Sequence, residues 1–333
     1  MADIHYKSFI IRTFLGKNDY QSMLNLFTRC QNIDHLDKVY TVSSLEQELQ
    51  QLPNFDIKKQ LFFIQSKNNP YITGSISVNW RMDTDNNLIY AIHHWMVDPD
   101  RRGEGLEKAL LDKAKNWFIN YEQNHKYFGE KWFQTRIQAT QASLIEILQE
   151  SGYIINRQTI KMSRPTKLDL PIVPVPKGLI IRKPEPSEYR KVLKANDEAF
   201  HDLWGYSPKT EEMFISWENS RFFQPEYWKV AWDEDQIAGM VLGYIDKEEN
   251  AAFNTKSGYT EEIAVLRPWR RKGLARWLLT ESIRMFRDLG IEKTILSVDS
   301  QNQTGAYSFY IQMGYEPTTE FLYYRKPFPT NPT

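Results

Sequence analysis

A disulfide needs two cysteines, and this chain of 333 residues has one, Cys30. No intramolecular disulfide can staple the chain and no thiolate cluster can hold a metal, which suits a reducing compartment. Net charge is also missing, because 42 Lys and Arg balance 42 Asp and Glu. There is no global field to attract nucleic acid or an anionic membrane. No stretch approaches the ~18 consecutive apolar residues of a membrane-crossing helix. The first residues, Met-Ala-Asp-Ile-His-Tyr-Lys, place no apolar run behind a basic one. These absences predict a soluble, cytoplasmic protein with neither a nucleic-acid nor a membrane partner.

The length exceeds one ordinary core and predicts two domains of roughly 150 residues each. Arg164 to Lys177 (RPTKLDLPIVPVPK) holds four prolines in 14 residues, a composition that resists helix and favours an extended connector. The predicted division is a first domain over 7–163, a connector over 164–177 and a second domain over 178–328.

The same landmarks recur on either side of that connector, which marks an internal repeat. Ile10-Ile11-Arg12 matches Ile180-Ile181-Arg182; each predicts a strand followed by a helix, one around Tyr20–Cys30 and the other around Glu188–Phe200. Strand pairs follow at Leu61–Gln65 with Tyr71–Trp80, and at Trp228–Trp232 with Gln236–Ile245, joined by Lys-Asn-Asn-Pro and Asp-Glu-Asp turns. Then come a strand ending at Val97 or Val265, an Arg/Gly turn and an amphipathic helix, Ala109–Tyr121 or Leu274–Leu289. Strands at Trp132–Ala139 and Lys293–Val298 lead to short helices ending in Gly152-Tyr153 and Gly314-Tyr315, where a C-cap glycine takes positive φ. Each half reads as a mixed α+β unit.

The second Arg/Gly turn runs Val265-Leu266-Arg267-Pro268-Trp269-Arg270-Arg271-Lys272-Gly273-Leu274-Ala275. A helix N-terminus presents unpaired N–H groups and partial positive charge, and is an anion site before side chains are considered. Gly273 lets the backbone approach a phosphate, small Ala275 keeps the first helical turn clear, and Arg270, Arg271 and Lys272 add charge. Alone, such a turn reads more readily as a solvated helix cap. In context, with Glu-Ile-Ala-Val before it and an Asn, Tyr and Gly-Tyr segment after the next strand, it resembles the acetyl-CoA signature of the GCN5-related N-acetyltransferase (GNAT) superfamily. The resemblance spans the second half. It implies that Arg270, Gly273, Leu274 and Ala275 belong to the turn that holds the CoA pyrophosphate. It also implies that the backbone of Ile263, Ala264 and Val265 bonds the pantetheine arm.

The last motif, Val298 to Tyr310 with Gly314-Tyr315, is similar to the family's final one, which implies Tyr310 as the acid beside the CoA sulfur. A thiolate leaving group is stabilised by a nearby hydroxyl with a proton to give. Asn302 either holds the cofactor arm or caps the following helix. The attacking amine must lose a proton, and the resemblance implies Glu261 as base, with Glu262 or water alone as alternatives. Strand alternation predicts that Glu261 and Glu262 face opposite ways. The segment Glu198–Pro208 either contacts the acceptor or packs on its own domain.

In the first half the turn reads Asp98-Pro99-Asp100-Arg101-Arg102-Gly103-Glu104-Gly105-Leu106-Glu107. Glu107 stands where Ala275 stands, and a carboxylate there repels pyrophosphate. Leu148 replaces Tyr310, and His93 replaces Glu261. His93 and His94 are adjacent on a strand and face opposite ways, which argues against a shared metal. The first repeat is therefore expected to be non-catalytic. Tandem folds with an eroded first copy resemble the architecture of the mycothiol synthase group, which leaves the acceptor open. The expectation is two tandem GNAT folds, each a mixed, mostly antiparallel sheet flanked by helices. The predicted activity is an acetyl-CoA-dependent N-acetyltransferase acting on a small-molecule amine by direct attack in a ternary complex. Acetyl-CoA is the cosubstrate, no metal is needed, and the chain is a monomer or homodimer. The rival expectation is a CoA-binding sensor or scaffold without turnover.

Overall fold

The computed structural model describes residues 9–67, 71–83, 87–125, 129–174, 176–201, 206, 208–302 and 304–328. It divides into two compact units, residues 1–158 with 321–333, and residues 159–320.

In chain order the elements of the first repeat are β1 (Phe9–Thr13), α1 (Asn18–Asp34), α2 (Val42–Gln50), α3 (Ile57–Gln60), β2 (Leu61–Ser66), β3 (Ile72–Asp83), β4 (Leu88–Val97), α4 (Leu106–His125), β5 (Glu130–Gln138), α5 (Ala142–Glu150) and β6 (Ile154–Pro165). Strands β1 to β4 pair antiparallel in sequence order. α4 then carries the chain across, so that β5 pairs parallel to β4 over Leu88–Ile92, as a parallel neighbour requires. Apolar side chains alternate along the strands and fill both faces of the sheet. Ile76, Val78, Val97, Leu110, Phe118 and Leu148 pack on the α4–α5 face. Leu26, Cys30, Leu45 and Phe63 pack on the α1–α2 face.

The second repeat repeats the order with β7 (Leu179–Arg182), α6 (Tyr189–Phe200), α7 (Glu211–Glu218), β8 (Trp228–Asp233), β9 (Gln236–Tyr244), α8 (Lys247–Ala252), β10 (Ser257–Val265), α9 (Leu274–Asp288), β11 (Lys293–Asp299), α10 (Ala306–Gln312) and β12 (Glu316–Pro327). β7 to β10 are antiparallel neighbours, and β11 lies parallel to β10 after the α9 crossover. α6 and α7 cover one face through Val192, Leu193 and Phe214, against Trp228, Met240 and Leu242. α9 covers the other through Leu274, Trp277 and Leu278, against Ala238 and Val241. Gly152 and Gly314 take φ of +80° and +84°, as helix C-caps do. Of the two predicted hairpin turns, residues 68–70 lie outside the described residues.

The division by packing departs from the division by chain order at the closing strands. β5 is flanked by β12, with Phe321–Pro327 against Gln138–Trp132. β11 is flanked by β6, with Thr159–Pro165 against Asp299–Lys293. The strand that follows α5 therefore closes unit 2, and the strand that follows α10 closes unit 1. The Pro-rich segment expected as connector begins inside this pairing. Arg164 is 1% exposed, and its Nε donates to Met313 O at 2.7 Å. Its terminal nitrogens donate to the carbonyls of Pro165, Leu168 and Asp169. A guanidinium buried this deeply is stable only because its donors are satisfied.

Candidate functional site

The site starts from a fault in the sheet of unit 2. The parallel ladder between β10 and β11 covers only Ser257–Tyr259, while β11 stays paired with β6 as far as Asp299. Beyond Tyr259 the two strands part, and β10 from Glu261 to Val265 becomes an edge whose backbone groups face the gap. Its other side is irregular too: Glu261 opposes Leu242 and Ala264 opposes Met240, so Glu262 and Ile263 together face Val241. This is a β-bulge, and the extra residue shifts the phase of the side chains. Glu262 takes φ of +48°.

The bulge overturns the expectation that the two glutamates face opposite ways. Ala264 packs with α6, whereas Ile263 and Val265 pack with Leu274, Trp277 and Leu278 on the α9 side. Glu261 shares the face of Leu242 by register, and Glu262 is turned onto the same face, where its Oε2 accepts from Asn196 Nδ2 of α6 at 2.7 Å. Both carboxylates thus lie on the α6 side, one residue apart.

Glu261 accepts hydrogen bonds from the backbone and hydroxyl of Ser297 on β11, across the gap. Burial raises its pKa to about 7, and the charge of Glu262 adds to the rise, while Ser297 opposes it. Tyr310 of α10 is 8% exposed and packs among Leu279, Ile283, Met313 and Tyr315. Burial raises its pKa, and the charge of Glu261 raises it further. Glu261 therefore changes charge near neutrality, while Tyr310, within its field, stays protonated. Perturbed groups of opposite assignment are the pattern of an acid–base site.

Next to this gap the chain turns into α9. Arg271 and Gly273 take φ of +64° and +80°, α9 starts at Leu274, and no side chain caps it. The first-turn N–H groups are left for an anion. Nothing lies within 4 Å of the place a Cβ on Gly273 would occupy, so the turn requires glycine for its dihedral angle and not for lack of room. Arg271 and Lys272 are exposed, Leu274 is buried and Ala275 half-buried. Arg270 is braced within the chain: its Nε donates to Val265 O at 2.9 Å and its Nη2 to Ala199 O at 3.1 Å, tying the end of β10 to the end of α6. Asn302 Oδ1 accepts from Thr304 N and Oγ1 at 2.7 and 2.6 Å, closing the loop before α10. Of the segment Glu198–Pro208, residues 202–205 and 207 lie outside the described residues. Tyr206 bonds Asp197 at 3.0 Å.

Unit 1 has the same turn in a different state. Glu107 is 1% exposed and its Oε1 accepts from Gly103 N at 2.8 Å, so a carboxylate of the chain occupies the N-terminus of α4. Leu148 is fully buried, as is His93. Burial lowers the His93 pKa to about 3, and its ring meets Tyr153 edge-on at 5.5 Å. Arg102 repeats the bracing of Arg270 through Val97 O, and grips Asp34 with two bonds of 2.6 and 2.7 Å.

The Acetyltransferase (GNAT) family model matches residues 20–131 and again residues 190–315. The chain belongs to that family and carries its fold twice. A stretch of 91 residues is 30% identical to N-alpha-acetyltransferase 30 of Schizosaccharomyces pombe; the match covers 27% of this chain and 58% of that protein, less than two thirds of its length. Among solved structures, a GCN5-related N-acetyltransferase from Sphaerobacter thermophilus shares the fold over 96% of both chains with a TM-score of 0.71 and 24% identity. A tandem GNAT protein from the clavulanic acid biosynthesis pathway aligns over 98% of this chain and 99% of its own with a TM-score of 0.62 and 14% identity. Family membership associates the fold with acetyl transfer. Among the described residues no helix is long and apolar enough to cross a membrane.

Ser297 and Asn196 are the partners that the sequence reading did not single out. Asn196 carried a signal: it continues the buried spacing of Val192 and Leu193 on α6, a polar residue in an apolar phase.

Proposed function

We propose that unit 2 is an acetyl-CoA-dependent N-acetyltransferase in which a small amine attacks the thioester directly. The observation that carries this reading is the pairing of Glu261, raised to about 7, with the buried hydroxyl of Tyr310 at the parting of β10 and β11. Acetyl-CoA supplies the acetyl group as an activated thioester. The uncapped N-terminus of α9, with Gly273, Leu274 and Ala275 in its first turn and Arg271 and Lys272 beside it, fits a pyrophosphate. The β10 edge at Ile263, Ala264 and Val265 fits an extended amide chain as an added strand would. Arg270 holds that edge against α6, and Asn302 shapes the loop on the far side. Glu261 takes the proton that the amine gives up on attack, and Tyr310 gives its proton to the departing sulfur. No covalent enzyme intermediate is required.

Unit 1 serves no CoA in this reading, because Glu107 fills the place of the pyrophosphate. The test is thioester cleavage by the whole chain with acetyl-CoA and a panel of amines, alongside calorimetry with CoA. Amine-dependent release of CoA supports the proposal. Tight CoA binding with no turnover on any amine replaces it with a CoA-sensing role.

A further inference from the structure

We infer that the acceptor is an amine with a second positive charge, of the short diamine or polyamine class, whose non-reacting ammonium is held by Glu262 and Asn196 Oδ1. The inference rests on the acetyltransferase reading of unit 2 and names the substrate class of that site.

On the α6 face, β10 sets Tyr259 beside Glu261, and the bulge adds Glu262. Tyr244 stacks on Tyr259 with centroids 4.6 Å apart and planes 5° apart, and the Tyr259 hydroxyl donates to Glu249 at 2.7 Å. Among the described residues, two cations pair with the acids gathered here. Lys161 lies 3.7 Å from Glu249, and Arg221 is shared by Asp246 and Glu248. Against them stand Glu249, Asp246, Glu248, Glu261 and Glu262, which leaves a surplus of negative charge around an aromatic floor.

Surplus acid alone is a solvated surface. The further observation is Asn196, 1% exposed, whose Nδ2 is spent on Glu262 while its Oδ1 has no hydrogen-bond partner. A buried acceptor without a donor costs ~1–3 kcal/mol, a cost removed when a ligand N–H reaches it. A carboxylate and an amide oxygen side by side accept only, so they select a donor-rich cation and reject carboxylates and phosphates. Glu262 also holds a left-handed backbone conformation that disfavours a side chain by ~1–2 kcal/mol, and this conformation is what turns its carboxylate toward Asn196. Glu261 and Glu262 are consecutive residues turned onto that one face, with Cα atoms about 3.8 Å apart. A short diamine can set one nitrogen at Glu261 and the other between Glu262 and Asn196.

The experiment is calorimetry on the full chain saturated with CoA, comparing 1,4-diaminobutane with pentylamine, which matches its length and lacks its second charge. The diamine is expected to bind roughly 10- to 100-fold more tightly, the range of one charged hydrogen bond. Glu262→Gln is expected to remove most of that difference. Equal affinity for the two amines, no binding of either, or a difference that persists in Glu262→Gln overturns the inference. Thioester cleavage measured in parallel judges the reaction separately: a diamine preference without turnover refutes acetyl transfer and keeps the cation site, whereas turnover of both amines without preference does the reverse.

Discussion

In the proposed mechanism Glu261 exchanges stability for chemistry. Its carboxyl has an ordinary pKa of 4.5 and a folded one of about 7. Between these values the folded chain holds a proton that the unfolded chain releases, so the group lowers stability as pH rises through that window and contributes no penalty below it. The penalty above pH 7 is on the order of 3 kcal/mol at most, at 1.36 kcal/mol per unit. Glu261→Gln is therefore expected to raise the melting temperature at pH 8 and leave it unchanged at pH 4.5. Turnover should fall by about 10²- to 10⁴-fold, the range for loss of a general base. A variant as active as wild type, or less stable at pH 8, contradicts this account. In the wild type, kcat/KM should decline below pH 7 with a single ionisation. Tyr310→Phe removes the other proton and should lower turnover about ten- to a hundredfold with CoA affinity nearly intact, as single-turnover and calorimetric measurements can separate. The tyrosine was legible because a motif fixes its place four residues before Gly314. Ser297 was not, because only the parting of two strands makes a β-strand serine the partner of Glu261.

At the scale of elements, two helix N-termini of common design have opposite fates. α4 is closed by its own Glu107, and α9 starts with no side-chain cap. The equivalent of Glu107 is Ala275, and the equivalent of Gly103 is Arg271; both of the latter pair have positive φ. Ala275→Glu should therefore let the new carboxylate accept from the Arg271 N–H. The capped helix should be as stable as before or up to about 1 kcal/mol more so, while CoA binding weakens on the order of 100-fold through a blocked and repelled pyrophosphate. Thermal melting with CoA titration reads both effects, and unchanged CoA affinity would move the anion site elsewhere. The sequence made Glu107 conspicuous, but its self-bond belongs to the folded turn. The bulge at Glu262 was less accessible still, since alternation is the default of a strand and nothing in Glu-Glu-Ile-Ala announces an extra residue. Short helices such as α2 and α7 also escaped, each too brief to establish a period.

At the scale of the molecule, the repeat was written plainly in the landmarks, whereas the exchange of closing strands was not. Both repeats end in similar strands, and nothing in either strand's own residues names its neighbour. The exchange has a consequence that a simple tandem would lack. Deleting residues 321–333 takes seven strand partners from β5 and removes Tyr324, fully buried in the α4–α5 core. It takes no partner from the β10–β11 gap beside Glu261. Losing one large buried aromatic costs about 3–5 kcal/mol, before the lost ladder bonds are counted. That is a large part of the stability of an ordinary domain. The truncated chain should show a separate, earlier unfolding transition in which unit 1 melts, with the proteolytic cuts falling in residues 9–158. CoA binding by unit 2 should persist to higher temperature. In a tandem without exchange the same deletion would damage the C-terminal repeat first, so the location of the early cuts distinguishes the two arrangements.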